Sequence, residues 1–173
     1  MALTLDGAGA WYEECLIKYR EEGATSPALD LIFCGMGPDG HTCSLFPGHP
    51  LLEVQDKLVA IITDSPKPPP ERVTITFPVI QSARMVMFVA VGAGKADMLP
   101  LILGNHRSRT VTQQANHIDV QMAVGQGPEG ITPADMGLPC AKVCNLPRWT
   151  QPGTTLWVVD NAAASKLLDE SKL

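Results

Sequence analysis

The sequence predicts an α/β protein whose sheet is mostly parallel and flanked by helices. Two observations carry this reading. Short apolar runs alternate along the chain with segments of helical periodicity, the order expected of repeated βα units. Two glycine-rich loops, at residues 35–41 and 92–95, each follow an apolar run directly. In parallel sheets, ligands bind just past the carboxyl ends of the strands.

Taken in order, residues 5–21 hold Leu5, Trp11, Tyr12, Cys15, Leu16 and Tyr19 at mostly helical spacing, with Asp6 placed to cap the first turn. Glu21-Glu22-Gly23 ends this amphipathic helix, and Ser26-Pro27 marks a loop. Residues 29–34 form a short run, apolar but for Asp30 and stopped by glycine, which suits a strand buried on both faces. Residues 58–62 form a second strand candidate, and the proline-rich turn at 65–70 must run extended. Residues 72–83 fit strand or helix, with Pro78 suited to a helix's first turn. Residues 84–91 make the strongest strand; Met85 and Met87, at alternate positions, read as core. A helix is expected over 96–103, kinked or shortened by Pro100. Residues 104–138 are rich in Gln, Gly, Asn, Thr and Pro with weak periodicity, and read as an insertion, a mobile loop or sequence outside the fold. Residues 155–159 are the last strand, after which Asp160 or Asn161 caps a helix through Leu168.

The 173 residues fit a single domain, 1–173, with the 104–138 stretch as its probable insertion. Hydrophobic residues make up 45% and charged residues 18%, an ordinary globular balance. The net charge of −5 and pI near 5.3 give no electrostatic reason to bind nucleic acid or an anionic membrane. A phosphorylated substrate would therefore be held by a few placed cations. No apolar run approaches the roughly 20 residues that cross a bilayer, and the N-terminus lacks the pattern of a signal peptide, so a soluble cytoplasmic protein is expected. The five cysteines are scattered and odd in number, which favours reduced thiols. Cys140 and Cys144 are four apart but lack a second ligand pair, so no metal site is expected.

His41 is the first candidate for chemistry. A neutral imidazole accepts a proton from water near neutral pH, and a glycine-rich loop past a strand brings it to the expected site. Asp39, two residues away, is placed to orient the ring or line the site; the alternative is a histidine that merely tidies a loop. Lys95 follows Gly-Ala-Gly and opens the expected helix, so its ammonium and the helix amides together suit a phosphate. Arg72, after a rigid Pro-Pro-Pro-Glu approach, has a guanidinium matched to phosphate geometry, though a lone arginine is more often solvated or salt-bridged. Lys67 is a weaker candidate. Ser44 lacks the nucleophile-elbow pattern, and Cys43 reads as a small buried hydrophobe. His49, His106 and His117 show no partner pattern.

The 20 residues from Leu29 to Gly48, with Gly-Met-Gly-Pro-Asp-Gly-His at 35–41 and Thr-Cys-Ser-Leu-Phe-Pro at 42–47, closely resemble the signature loop of the 6-phosphogluconolactonase family. The shorter Gly-x-Gly-x-Asp-Gly-His element is shared with glucosamine-6-phosphate deaminases; the Thr-Cys-Ser-Leu-Phe-Pro continuation points to the lactonases. Ser-Pro-Lys-Pro-Pro-Pro-Glu-Arg-Val-Thr at 65–74, Phe-Val-Ala-Val-Gly-Ala-Gly-Lys at 88–95 and Leu-Trp-Val-Val-Asp-Asn-Ala-Ala-Ala at 156–164 resemble further blocks of the same family. The resemblance covers roughly residues 5–103 and 138–170. It implies a Rossmann-like fold and hydrolysis of 6-phospho-D-glucono-1,5-lactone to 6-phosphogluconate without cofactor. It also implies that His41 is the general base, that Asp39, Gly37 and Gly40 shape the site, and that Arg72 and Lys95 contact the substrate or its phosphate. The family's N-terminal phosphate loop and Asp-Glu-Arg segment do not occur here. The sheet is therefore expected to be incomplete on its N-terminal side, with apolar surface exposed. Two other readings stand beside the lactonase: a truncated, non-catalytic chain, and, less well supported, a deaminase-type enzyme.

Overall fold

A computed structural model describes residues 4–103, 109–113, 117–123, 137–145 and 154–167. Its strands are β1 (Leu31–Gly35), β2 (Val59–Ile62), β3 (Arg72–Ile75), β4 (Met85–Ala90), β5 (Arg109–Gln113), β6 (His117–Ala123) and β7 (Thr154–Asp160). Its α-helices are α1 (Leu5–Ile17), α2 (Phe77–Ser82), α3 (Met98–Leu103) and α4 (Pro139–Asn145). The main sheet runs β1-β4-β7-β6-β5. Its parallel core is β1-β4-β7, in register at Leu31↔Met85 and Met85↔Thr154. The α/β class with a parallel sheet flanked by helices is thus as the sequence predicts.

The structure corrects several local expectations. Residues 104–138 are not without regular structure: β5 and β6 lie within them and extend the sheet as an antiparallel hairpin on β7. β2 does not join the main sheet but pairs with β3 as a separate antiparallel ribbon. The segment 72–83 is both strand and helix, and Pro78 sits in the first turn of α2, where its missing N–H costs nothing. Helix α1 is capped by Thr4, whose Oγ1 accepts the Gly7 N–H at 3.1 Å, so Asp6 lies inside the first turn. Glu13 on α1 accepts the Leu58 N–H at 2.9 Å and so ties the helix to the start of β2. The last helix is a short 3-10 turn, Ala163–Lys166; Asp160 caps it as expected, accepting the Ala163 N–H at 2.7 Å. Leu168 and His106 lie outside the described residues.

One face of the parallel core carries the hydrophobic core. Ile32, Cys34, Val86, Phe88, Ala90, Trp157 and Val159 point into it and meet Val79, Ile80, Leu99, Ile102, Leu103 and Val143 from α2, α3 and α4. Phe88 and Trp157 stack there with centroids 4.1 Å apart. β1 is not buried on both faces. Its residues alternate, and Phe33 is 67% exposed, beside Leu31, Val89 and Val91, which are exposed too. Met85 and Met87 share this open side and are only partly buried. Among the described residues, no helix is long and apolar enough to cross a membrane.

Candidate active site

The loop after β1 is built by its glycines. The Gly40 N–H donates to Gly37 O at 3.0 Å, and the Gly37 N–H donates to His41 O at 2.9 Å. Gly40 holds φ at +78°, a conformation that side chains strain to adopt. The Thr42 hydroxyl ties the loop back to Gly35 O at 2.9 Å, and the Cys140 N–H at the start of α4 donates to Gly40 O at 3.1 Å. Gly37 has a steric role. A Cβ there would lie 2.0 Å from His41 Nδ1 and 2.6 Å from Asp39 Oδ1, so both side chains fold over the space its hydrogen leaves.

His41 and Asp39 form a pair, Nδ1 to Oδ1, at 2.5 Å. Lys67 Nζ reaches the same Asp39 oxygen at 2.8 Å and lies 3.5 Å from His41 Nδ1. An ammonium has no acceptor, so Asp39 is the partner of both cationic or donor groups, and the Nδ1 proton belongs to the Asp39 contact. That leaves Nε2 as the basic nitrogen of the neutral ring. The imidazole rests on the buried Phe46 ring, centroids 4.5 Å apart and tilted by 36°. Burial alone would raise the Asp39 carboxyl; the hydrogen bonds from Lys67 and His41, with the histidine's charge, outweigh it and hold Asp39 down at about 2. Asp39 is therefore a fixed negative charge across the working pH range.

Lys95 comes from the loop after β4, the strand that pairs with β1. Gly92 leaves β4 with φ at +87°, and its N–H donates to both Asp160 carboxylate oxygens at 3.0 Å. The chain then makes a 3-10 turn, Ala93–Lys95, and α3 starts only at Met98. Pro100 lies in the first turn of this six-residue helix. The expectation that helix amides join Lys95 at a phosphate gives way here, because Lys95 precedes the helix; the ammonium itself remains. His41, Cys43, Lys67 and Lys95 wall one cleft of about 600 Å³ with Gly35, Met36 and Gly37. Two clefts beside α1, of about 420 and 440 Å³, offer Glu13, Asp56 and Lys57 but no histidine or cysteine.

The structure brings together His41, Asp39, Gly37, Gly40 and Lys95. Arg72 is placed differently. Its guanidinium donates to the carbonyls of Lys67, Pro68 and Pro69 at 2.9, 2.7 and 3.0 Å, and it lies over Phe46 at 5.5 Å. It braces the proline turn and does not line the cleft. Lys67, weak on pattern alone, is the residue that turn delivers. Cys43 is exposed as a residue and lines the cleft with φ at +53°, while its thiol turns inward. Its sulfur faces Cys34, and that hydrogen bond, then burial, pushes the thiol far above the ordinary range. Cys140 and Cys144 are both buried, and among the described residues no cluster suits a metal. His49 caps the 3-10 turn Pro50–Glu53 through Nδ1 and meets Asp64 at 3.1 Å through Nε2.

Comparison with known proteins adds an independent line. A family model described as glucosamine-6-phosphate isomerases/6-phosphogluconolactonase matches residues 2–123. A 6-phosphogluconolactonase of Rattus norvegicus is 60% identical over 107 residues, which is 62% of this chain and 41% of that protein. One of Homo sapiens is 61% identical over 93 residues, 53% of this chain and 36% of that protein. The chain thus spans about two fifths of the length of the curated relatives it matches. Among solved structures, the crystal structure of devB protein superposes with a TM-score of 0.65 at 25% identity, covering 94% of this chain and 55% of that one.

Proposed function

Because this chain belongs to the glucosamine-6-phosphate isomerase/6-phosphogluconolactonase family, we propose that its cleft serves the hydrolysis of 6-phospho-D-glucono-1,5-lactone to 6-phosphogluconate. The observation that carries this reading is the His41–Asp39 pair at 2.5 Å in a cleft that Lys95 also enters. His41 Nε2 takes a proton from a water, and the oxygen of that water bonds to the lactone carbonyl carbon. The tetrahedral oxyanion collapses, the ring C–O bond breaks, and the Nε2 proton passes to the departing alkoxide. One water is consumed and the ring opens to a hydroxy acid. Asp39 holds the ring by Nδ1 and stabilises the imidazolium that forms in between. Lys95 attracts the 6-phosphate. Gly37 and Gly40 give the loop its shape, and Arg72 acts through the turn it braces.

No cofactor enters this chemistry. On its net charge of −5 we assign the chain no nucleic-acid or anionic-membrane partner. The names of the rat and human relatives favour the lactone over an aminosugar phosphate. The test is a substrate panel offered to the 173-residue chain. Fresh 6-phosphogluconolactone should be opened above its spontaneous rate, and glucosamine 6-phosphate left untouched. Turnover of the aminosugar alone would overturn the reading.

The exposed apolar side of β1 and β4, at Phe33, Val89 and Val91, favours a second reading. In it the chain holds the site's residues but turns substrate over only when further polypeptide covers that face. A folded chain that binds the lactone without opening it would support this second reading.

A further inference from the structure

We propose that Lys67 is a positioning residue that keeps His41 a free base by setting a positive charge against the orienting carboxylate of Asp39. The inference rests on the lactonase reading for its catalytic consequence, but the charge arrangement stands on geometry alone.

A carboxylate against Nδ1 has two effects on an imidazole. It fixes the tautomer with Nε2 unprotonated, which a base needs. It also favours a second proton on the ring, which disables the base. Asp39 at 2.5 Å has both effects. Lys67 Nζ sits 2.8 Å from the same oxygen and 3.5 Å from Nδ1, so it opposes the second effect without disturbing the first. An ammonium that close to the ring repels the charge a second proton would bring.

The chain holds Lys67 in that place. Ser65 Oγ donates to Lys67 O at 2.8 Å and accepts the Lys67 N–H at 3.3 Å, and the Ser65 N–H donates to Pro70 O at 3.1 Å. Arg72 donates to the carbonyls of Lys67, Pro68 and Pro69. A lysine meant to sweep a cleft for substrate needs no such bracing. Lys95 fits that other role: among the described residues its ammonium has no ion-pair partner, yet it lines the cleft.

Two further cations stand near the ring: Arg72, from β3, lies 5.5 Å over the Phe46 ring on which His41 rests, and Lys95 lines the same cleft. On its own loop, His41 is faced by Asp39 and by Cys43, whose thiol is kept protonated by Cys34 and burial. From α4 it is met by Cys140, a thiol pushed up by burial, which donates to His41 O at 3.5 Å. Phe46 is uncharged. Lys95, from the 3-10 turn, adds positive charge to the same cleft.

The test compares the parent chain with Lys67→Met, Lys67→Gln and Lys67→Arg. Two things are measured: the pH profile of kcat/KM on 6-phosphogluconolactone, and the pH midpoint of the His41 ring signals by NMR, assigned with His41→Gln. For Lys67→Met the acid limb and the ring midpoint should both move up by about one pH unit, with kcat/KM on the acid limb falling about tenfold and the alkaline plateau nearly kept. Lys67→Gln, which keeps a donor for Asp39 but no charge, should give the same shift and replaces Lys67→Met if the latter does not fold. Lys67→Arg should stay near the parent. An unmoved ring midpoint in the uncharged variants overturns the proposal. So does a loss confined to KM for the phosphorylated lactone, which would assign Lys67 to the phosphate. A shifted midpoint in a chain without turnover would uphold the role of Lys67 and count against the lactonase reading.

Discussion

Replacing Gly37 by alanine adds one methyl group at the centre of the site. The new Cβ would lie 2.0 Å from His41 Nδ1, 2.1 Å from Cε1 and 2.6 Å from Asp39 Oδ1. A van der Waals contact needs ~3.5 Å, so the ring must retreat by ~1.5 Å. The His41–Asp39 bond at 2.5 Å cannot survive that retreat. The lost charge-assisted bond costs ~1.5 kcal/mol, the low end of its range because Asp39 is partly exposed, and alanine's smaller unfolded-state entropy returns ~0.5 kcal/mol. The net destabilisation of ~1 kcal/mol lowers Tm by about 2–4 °C in a domain of this size. The effect on chemistry is far larger, because a general base misplaced by more than 1 Å loses about 100-fold in rate. Initial rates on freshly made 6-phosphogluconolactone, corrected for spontaneous opening, and a thermal melt measure the two quantities on one preparation. Turnover within about threefold of the parent would refute the packing argument.

Other consequences follow from the same geometry. Asp39 has a folded-state value of about 2, below its ordinary 3.8, so the stability it contributes is present above about pH 4 and lost as pH falls towards 2. The Tm gap between parent and Asp39→Asn should narrow as pH falls from about 4.5 towards 2; a gap undiminished at pH 2 would contradict this. Lys95→Ala should raise KM for the phosphorylated lactone about 10- to 100-fold, the worth of one charge-assisted contact, and leave unphosphorylated gluconolactone unaffected. Equal losses on both lactones would remove Lys95 from the phosphate.

Much of this site was legible because it is local. Gly37, Asp39, Gly40 and His41 fall within five residues of chain, and the glycines needed for the turn announce it. Lys95 was legible because it follows a strand through a glycine pair. Lys67 was not, because its partner Asp39 lies in a different loop, far back in sequence, and nothing in a lone lysine says which carboxylate it meets. Arg72 was legible as a cation but not as a brace, because nothing in the sequence shows that the carbonyls of its own proline turn accept its N–H groups. Cys43 read as a buried thiol; its sulfur does turn inward to Cys34, while the residue itself, at φ +53°, lines the cleft. In the fold, the strong apolar runs became β1, β4 and β7. The hairpin of β5 and β6 was missed because β5 is nearly all polar and the short alternation of Ile118, Val120 and Met122 in β6 is set in a stretch rich in Gln, Gly and Asn. The open side of β1 was misread from continuous apolarity, which reports that both faces suit burial, not that both are covered.

The central claim is that His41 activates water for lactone opening in this cleft. The direct measurement is the initial rate on freshly generated 6-phosphogluconolactone for the purified chain and for His41→Ala, with matched melts to show both folded. Turnover above background is expected in the parent, with a loss of about 100-fold or more in the variant. Equal rates in the two proteins would contradict it.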